Sequence, residues 1–139
     1  MKKVVFIACV SQKRDVSCKA RDLYISSLFK KELKYAEDIL KADDIYILSA
    51  KYGLVDLEQV IEPYNKTLNN MKEDEIKKWS SNVLKQIKEK VNVEEDEIIF
   101  LAGKKYRKYL VPHMKNVKIP MEGLAIGKQL QFLKRYINE

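Results

Sequence analysis

Four short runs of apolar and β-branched residues punctuate the chain, at Lys3–Val10, Asp44–Ser49, Glu97–Ala102 and Val117–Ile119. Three of them are nearly continuous hydrophobics, the pattern of parallel strands covered on both faces. Stretches of helical period separate them. Phe29, Leu33, Ala36 and Leu40 recur at spacings of 4, 3 and 4, which puts one apolar stripe on a helix. Ile76, Trp79, Val83, Leu84, Ile87 and Val91 do the same over five turns, and Ile126, Leu130, Leu133 and Ile137 mark a C-terminal helix. A shorter helix is predicted over Lys104–Leu110, stopped before Pro112. Strand and helix in alternation imply right-handed crossovers and a parallel sheet with helices on its faces. The expectation is one α/β domain over residues 1–139, a three-layer α/β/α sandwich with a four-stranded, mainly parallel sheet. Lys51–Asn70 reads as a long irregular stretch, and loops of that length inside a compact domain are usually functional or disordered.

Composition narrows the class. The 139 residues are 46% hydrophobic and 34% charged with 4 Gly and 3 Pro, enough apolar material for one core and too much for a disordered tail. No apolar run approaches the roughly 20 residues of a membrane span. The start, MKKVVFIACV, is read as a buried strand and not a leader, because charged SQKRD follows where a small-residue cleavage site would lie. Two cysteines, Cys9 and Cys18, make no disulfide framework, so a reduced, cytoplasmic protein is expected.

The net charge of +7 is segregated. Residues 1–21 carry six basic side chains and one acid, residues 22–100 carry 12 and 17, and residues 101–139 carry nine and two. Positive excess at both ends of the chain points to a polyanionic partner, DNA or another nucleic acid or a nucleotide. A solvated lysine-rich surface accounts for the same numbers without a ligand.

Open parallel sheets bind ligands beyond the carboxyl ends of their strands. The four predicted strands end in Cys9-Val-Ser11-Gln-Lys13-Arg14, Ser49-Ala-Lys51-Tyr52-Gly53, Gly103-Lys104-Lys105-Tyr106 and Pro120-Met-Glu122-Gly123-Leu-Ala-Ile-Gly127-Lys128. Each delivers a small residue and a lysine to one rim. Small residues let an anion approach backbone amides, hydroxyls donate to it, and ammonium groups supply compact charge. The expected phosphate site therefore comprises Ser11, Lys13, Arg14, Ser49, Lys51, Gly103, Lys104, Lys105, Gly123, Gly127 and Lys128. Tyr52, Tyr64 and Tyr106 stand ready to stack on bases or to pack the loops onto the sheet.

Candidate chemistry is thinner. Gly123-x-x-x-Gly127-Lys128 is one residue short of a phosphate-binding loop and lacks the following Ser or Thr, so it reads as a glycine-permitted helix entry. One histidine, His113, and two cysteines offer no zinc-ligand spacing, and no metal or cofactor is expected. Cys9 is read as a small buried hydrophobe before it is read as a nucleophile. Glu62 and Glu122 are the candidate general acids or bases. Glu122 is one of only two acids in the basic last third, which also suits an ion pair.

Several motifs occur in a familiar order: Ser11-x-Lys13, Ala20-Arg-x-Leu-Tyr24, Leu48-Ser-x-x-Tyr-Gly-Leu54, Pro63-Tyr64, Trp79, Leu101-Ala-x-x-x-Tyr106 and Pro120-x-Glu-Gly-Leu124. The set resembles the YaaA-like proteins, the short relatives of peroxide-stress protein YaaA, nearly end to end. That resemblance implies a cytoplasmic, DNA-associated protein linked to protection against oxidative damage. It also implies a layout similar to the uracil-DNA-glycosylase type of α/β/α fold. The water-activating Asp motif and catalytic His of those enzymes are not matched here, nor is a helix–hairpin–helix signature. Three functional expectations follow: a nucleic-acid- or nucleotide-binding protein; an enzyme on a nucleotide or modified nucleobase, such as an N-glycosidic hydrolase or transferase; and a regulatory domain whose basic rim meets an acidic protein.

Overall fold

The computed structural model describes residues 1–138. Strand β1 (Lys3–Ala8) lies at the centre of a five-stranded sheet with β3 (Asp44–Ser49) on one side and β6 (Glu97–Leu101) on the other, both parallel to it. Beyond β6 runs β7 (Val117–Lys118), also parallel, and beyond β3 runs β4 (Gly53–Asp56), antiparallel, giving the order β4-β3-β1-β6-β7. Two short strands, β2 (Cys18–Lys19) and β5 (Val60–Ile61), pair antiparallel in a separate ribbon. The class is mixed α/β with a mostly parallel sheet, as the hydrophobic pattern predicts.

The strand count is not as predicted. The stretch Lys51–Asn70 holds β4, β5 and a 3₁₀ turn at Leu68–Asn70. Side chains create this order. Ser49 Oγ accepts from the amides of Lys51 (3.2 Å) and Tyr52 (3.0 Å), which closes the turn into β4. Gly53 follows at φ +74°, a conformation L side chains rarely adopt, and Gln86 Oε1 accepts from Leu54 N at 3.0 Å. A four-residue strand stitched by a distant glutamine leaves almost no period to read.

The core forms where the runs are continuous. Val4, Val5, Phe6 and Ile7 are fully buried, as the central strand of a covered sheet must be. Phe6 meets Phe100 at 5.3 Å and Tyr46 at 6.0 Å between ring centroids. Burying each such side chain stabilises the fold by roughly 1.5–3 kcal/mol. The helices follow the predicted stripes. Helix α2 (Ser27–Lys34) starts at Ser26, whose Oγ accepts from Phe29 N at 3.1 Å, and runs on into a π turn over Tyr35–Ile39. It packs against α5 (Ile126–Ile137). Helix α3 (Glu73–Lys90) packs against β4 and against the short α4 (Lys104–Arg107). Lys108 Nζ bonds Glu73 at 2.9 Å and helps hold that second group together. A four-residue helix, α1 (Ala20–Leu23), precedes α2. Among the described residues, no helix is long and apolar enough to cross a membrane.

Candidate functional site

Between the end of β1, the end of β6 and the segment after β7 the structure opens a cavity of about 510 Å³. Its floor is apolar, with Phe100, Leu101, Ile119 and Met121. Lys104, Lys105 and Arg107 also line it, as do Leu124 and Ile126, both solvent-exposed. Ile126 was expected in the core stripe of its helix. It is instead 64% exposed and lines the cavity.

Two side chains with chemical potential face this space. Cys9, just past β1, lies with Sγ 3.4 Å from the Tyr106 hydroxyl. Glu32, from α2, is only 4% exposed, and among the described residues its carboxyl group has no hydrogen-bond or ion-pair partner. Burial, the sole cause, pushes that carboxyl well above the ordinary glutamate range. Sequence reading passed over Glu32 because it sits among lysines on a helix, where a glutamate normally faces water. The one available signal was its place next to Leu33 on the apolar side of the Phe29–Leu40 stripe.

A web of hydroxyls joins the end of β3, Tyr24 just after α1 and the loop after β5. Ser49 Oγ donates to the Tyr64 hydroxyl at 2.8 Å, and the hydroxyls of Tyr64 and Tyr24 share a hydrogen bond of 2.7 Å. The Tyr106 hydroxyl accepts from Leu68 N at 3.3 Å. Burial pushes Tyr24 up to about 12 and raises Tyr64 and Tyr106 further, with added repulsion from the nearby Cys9 thiolate form. These phenols therefore stay protonated and act as neutral hydrogen-bonding groups.

The expected convergence of lysines does not occur. Lys104 and Lys105 line the cavity, with Lys105 Nζ donating to Asn69 O at 3.3 Å. Lys13 instead lies over the Tyr64 ring at 4.5 Å and over Tyr24 at 5.8 Å, where burial pulls its pKa below the ordinary lysine value. Lys51 sits over its neighbour Tyr52 at 5.1 Å, in a different hollow of about 580 Å³ shared with Lys66, Lys78 and Trp79. Lys128 is exposed and lines neither hollow, as are Ser11 and Arg14. Strand ends in one sheet are about 4.8 Å apart, so β3 and β7 deliver their loops roughly 14 Å from each other. One phosphate cannot meet all four.

The remaining candidates divide in the same way. Gly103 caps α4 at the cavity, and Gly123 lines it at φ +80°. Gly127 is exposed one residue into α5 and lines neither hollow. Ser49 is fully buried and bonded to protein groups. Tyr52 and Tyr64 meet edge to face at 5.6 Å, so they pack on each other. Trp79, at the second hollow, meets Tyr106, at the first, edge to face at 5.6 Å and donates to Ser49 O at 3.0 Å. Glu122 is exposed on the rim, 3.9 Å from Arg107, and Glu62 is a surface residue whose carbonyl accepts from Tyr52. His113 is exposed. Among the described residues no cluster of three or more His, Cys, Asp or Glu is arranged to hold a metal.

Residues 4–135 match the Family of unknown function (DUF6884), and the chain belongs to that family. The match replaces the resemblance to YaaA-like proteins, which nothing in the comparison supports. That resemblance rested on dipeptides and tripeptides such as Pro63-Tyr64 and Leu101-Ala102, each short enough to recur at strand ends of unrelated α/β chains. No curated protein gives a significant match.

Proposed function

We propose that this protein binds a nucleotide-sized, phosphate-bearing ligand, with the base in the apolar interior of the cavity and the phosphate toward Lys104, Lys105 and Arg107. One observation carries the reading: a half-enclosed cavity of about 510 Å³ at the carboxyl edge of a parallel sheet, apolar within and lined also by three cationic side chains. Small-molecule sites run from roughly 300 to 1,000 Å³ and are apolar with a few placed polar groups. A uracil-DNA-glycosylase type of layout is kept with this proposal on the mostly parallel sheet with helices alone.

A second version, in which the nucleotide is carried on a nucleic-acid strand, draws on the neighbouring hollow. Lys51, Lys66 and Lys78 line it with Trp79, whose ring meets that of Tyr106 on the wall of the first cavity. The test is calorimetric titration with the four common nucleoside monophosphates and their nucleosides. Monophosphates are expected to bind at least tenfold tighter than nucleosides, with the difference lost in Lys104→Ala/Lys105→Ala. Absence of binding by all eight overturns the reading. A short oligonucleotide whose affinity falls steeply with salt, while a mononucleotide's does not, selects the strand version.

A further inference from the structure

We infer that Glu32 selects the ligand's base, accepting two parallel hydrogen bonds from an edge that carries adjacent N–H donors, and that the ligand is therefore a guanine nucleotide. The inference rests on the reading of the cavity as a nucleotide site and adds which base it takes.

A buried polar group without a partner costs free energy that folding has to offset elsewhere. Glu32 bears part of that cost: it is 4% exposed, lies on the cavity wall and has no hydrogen-bond partner among the described residues, while its carboxyl oxygens are not fully enclosed. Its position is set by α2, an eight-residue helix capped by Ser26, and by Phe29 and Leu33, which are buried on the same helix. The carboxyl is thus held in place on a rigid element, which suits a recognition group more than a packing accident. Its hydrogen-bond partners therefore come from what occupies the cavity, water in the free protein and a ligand in the complex.

Two carboxylate oxygens match two N–H donors side by side. Among the common bases only guanine presents that pair, at N1 and the 2-amino group. Adenine and cytosine present one donor beside an acceptor, and uracil and hypoxanthine one donor beside carbonyls. Two N–H donors placed on the carboxyl favour its ionised form. In the empty cavity burial holds the carboxyl above its ordinary pKa. Binding of guanine is therefore coupled to release of that proton. The other titratable or charged groups lining the space are Cys9, Lys104, Lys105, Tyr106 and Arg107.

The experiment is calorimetric titration of the full chain at pH 7 with GMP, IMP, AMP and CMP, repeated in two buffers of different ionisation enthalpy to count protons. GMP is expected to bind ten- to a hundredfold tighter than IMP, which lacks only the 2-amino group, with a net release of protons on binding. Glu32→Gln is expected to abolish the GMP preference and the proton release while retaining phosphate-dependent binding, because an amide offers one acceptor and one clashing donor. Glu32→Leu, which keeps the volume and removes both oxygens, is expected to do the same and guards against a variant-specific artefact. GMP and IMP binding alike, AMP or CMP binding tighter than GMP, or a GMP preference unchanged in both variants would each overturn the role of Glu32 while leaving the cavity reading intact. No binding by any of the four removes the cavity reading itself.

Discussion

Replacing Glu32 by Gln is expected to stabilise the folded protein at neutral pH and to leave it unchanged in acid. Glutamate in the unfolded chain releases its proton near pH 4.3, whereas burial raises the pKa of Glu32 in the folded protein. Between those two values the native state binds one proton more than the unfolded state, so stability falls as pH rises. At about 1.36 kcal/mol per pH unit, the loss between pH 4.3 and pH 7 cannot exceed roughly 3.7 kcal/mol, however high the folded value lies. Gln keeps the shape and carries no charge at either pH. The difference between variant and wild type should be near zero at pH 4 and grow to about 1–3 kcal/mol at pH 7, roughly 3–10 °C in Tm. Urea unfolding at pH 4, 5, 6 and 7 measures it, with Trp79 as the intrinsic fluorophore. Other titrating groups are common to both proteins and cancel in the difference. A difference independent of pH, or a Gln variant less stable at pH 7, refutes the claim that burial raises the pKa of the Glu32 carboxyl.

Three further outcomes are expected. Ser49→Ala removes the acceptor for two turn amides and the donor to Tyr64 at a fully buried site, and should cost about 2–3 kcal/mol in chemical denaturation; a loss below about 0.5 kcal/mol would mean that water replaces the hydroxyl. Gly53→Ala places a Cβ 2.3 Å from Gln86 Oε1 at φ +74°, so it should lower stability by about 1–3 kcal/mol, and Gly53→Ala/Gln86→Ala should recover only the steric part because Leu54 N then loses its partner. Ultraviolet titration of the eight tyrosines should leave those at 24, 64 and 106 un-ionised up to pH 11, and full ionisation below that pH without unfolding would contradict their buried network.

The continuous apolar runs determined a great deal by themselves. A strand such as Val4–Ile7 has no polar face to offer water, so it must be covered on both sides, and that requirement alone dictates a parallel sheet with helices over it. The 3.6-residue stripes placed α2, α3 and α5 for the same reason. That the loops after β1, β3, β6 and β7 share one edge was also legible, because parallel strands all end on the same side of the sheet. What the tertiary structure decided was which residues share a space. β4 depends on Gln86, 32 positions away, and leaves no local period. The lysines at four strand ends look alike along the chain, yet the sheet's width separates them, and Lys13 finds a closer partner in the ring of Tyr64. Glu32 differs from a surface glutamate only in the direction its helix turns, which is set by what α2 packs against. Hydrophobicity is a property of each residue and can be read in order. Convergence is a property of pairs far apart in sequence, and only the folded chain specifies it.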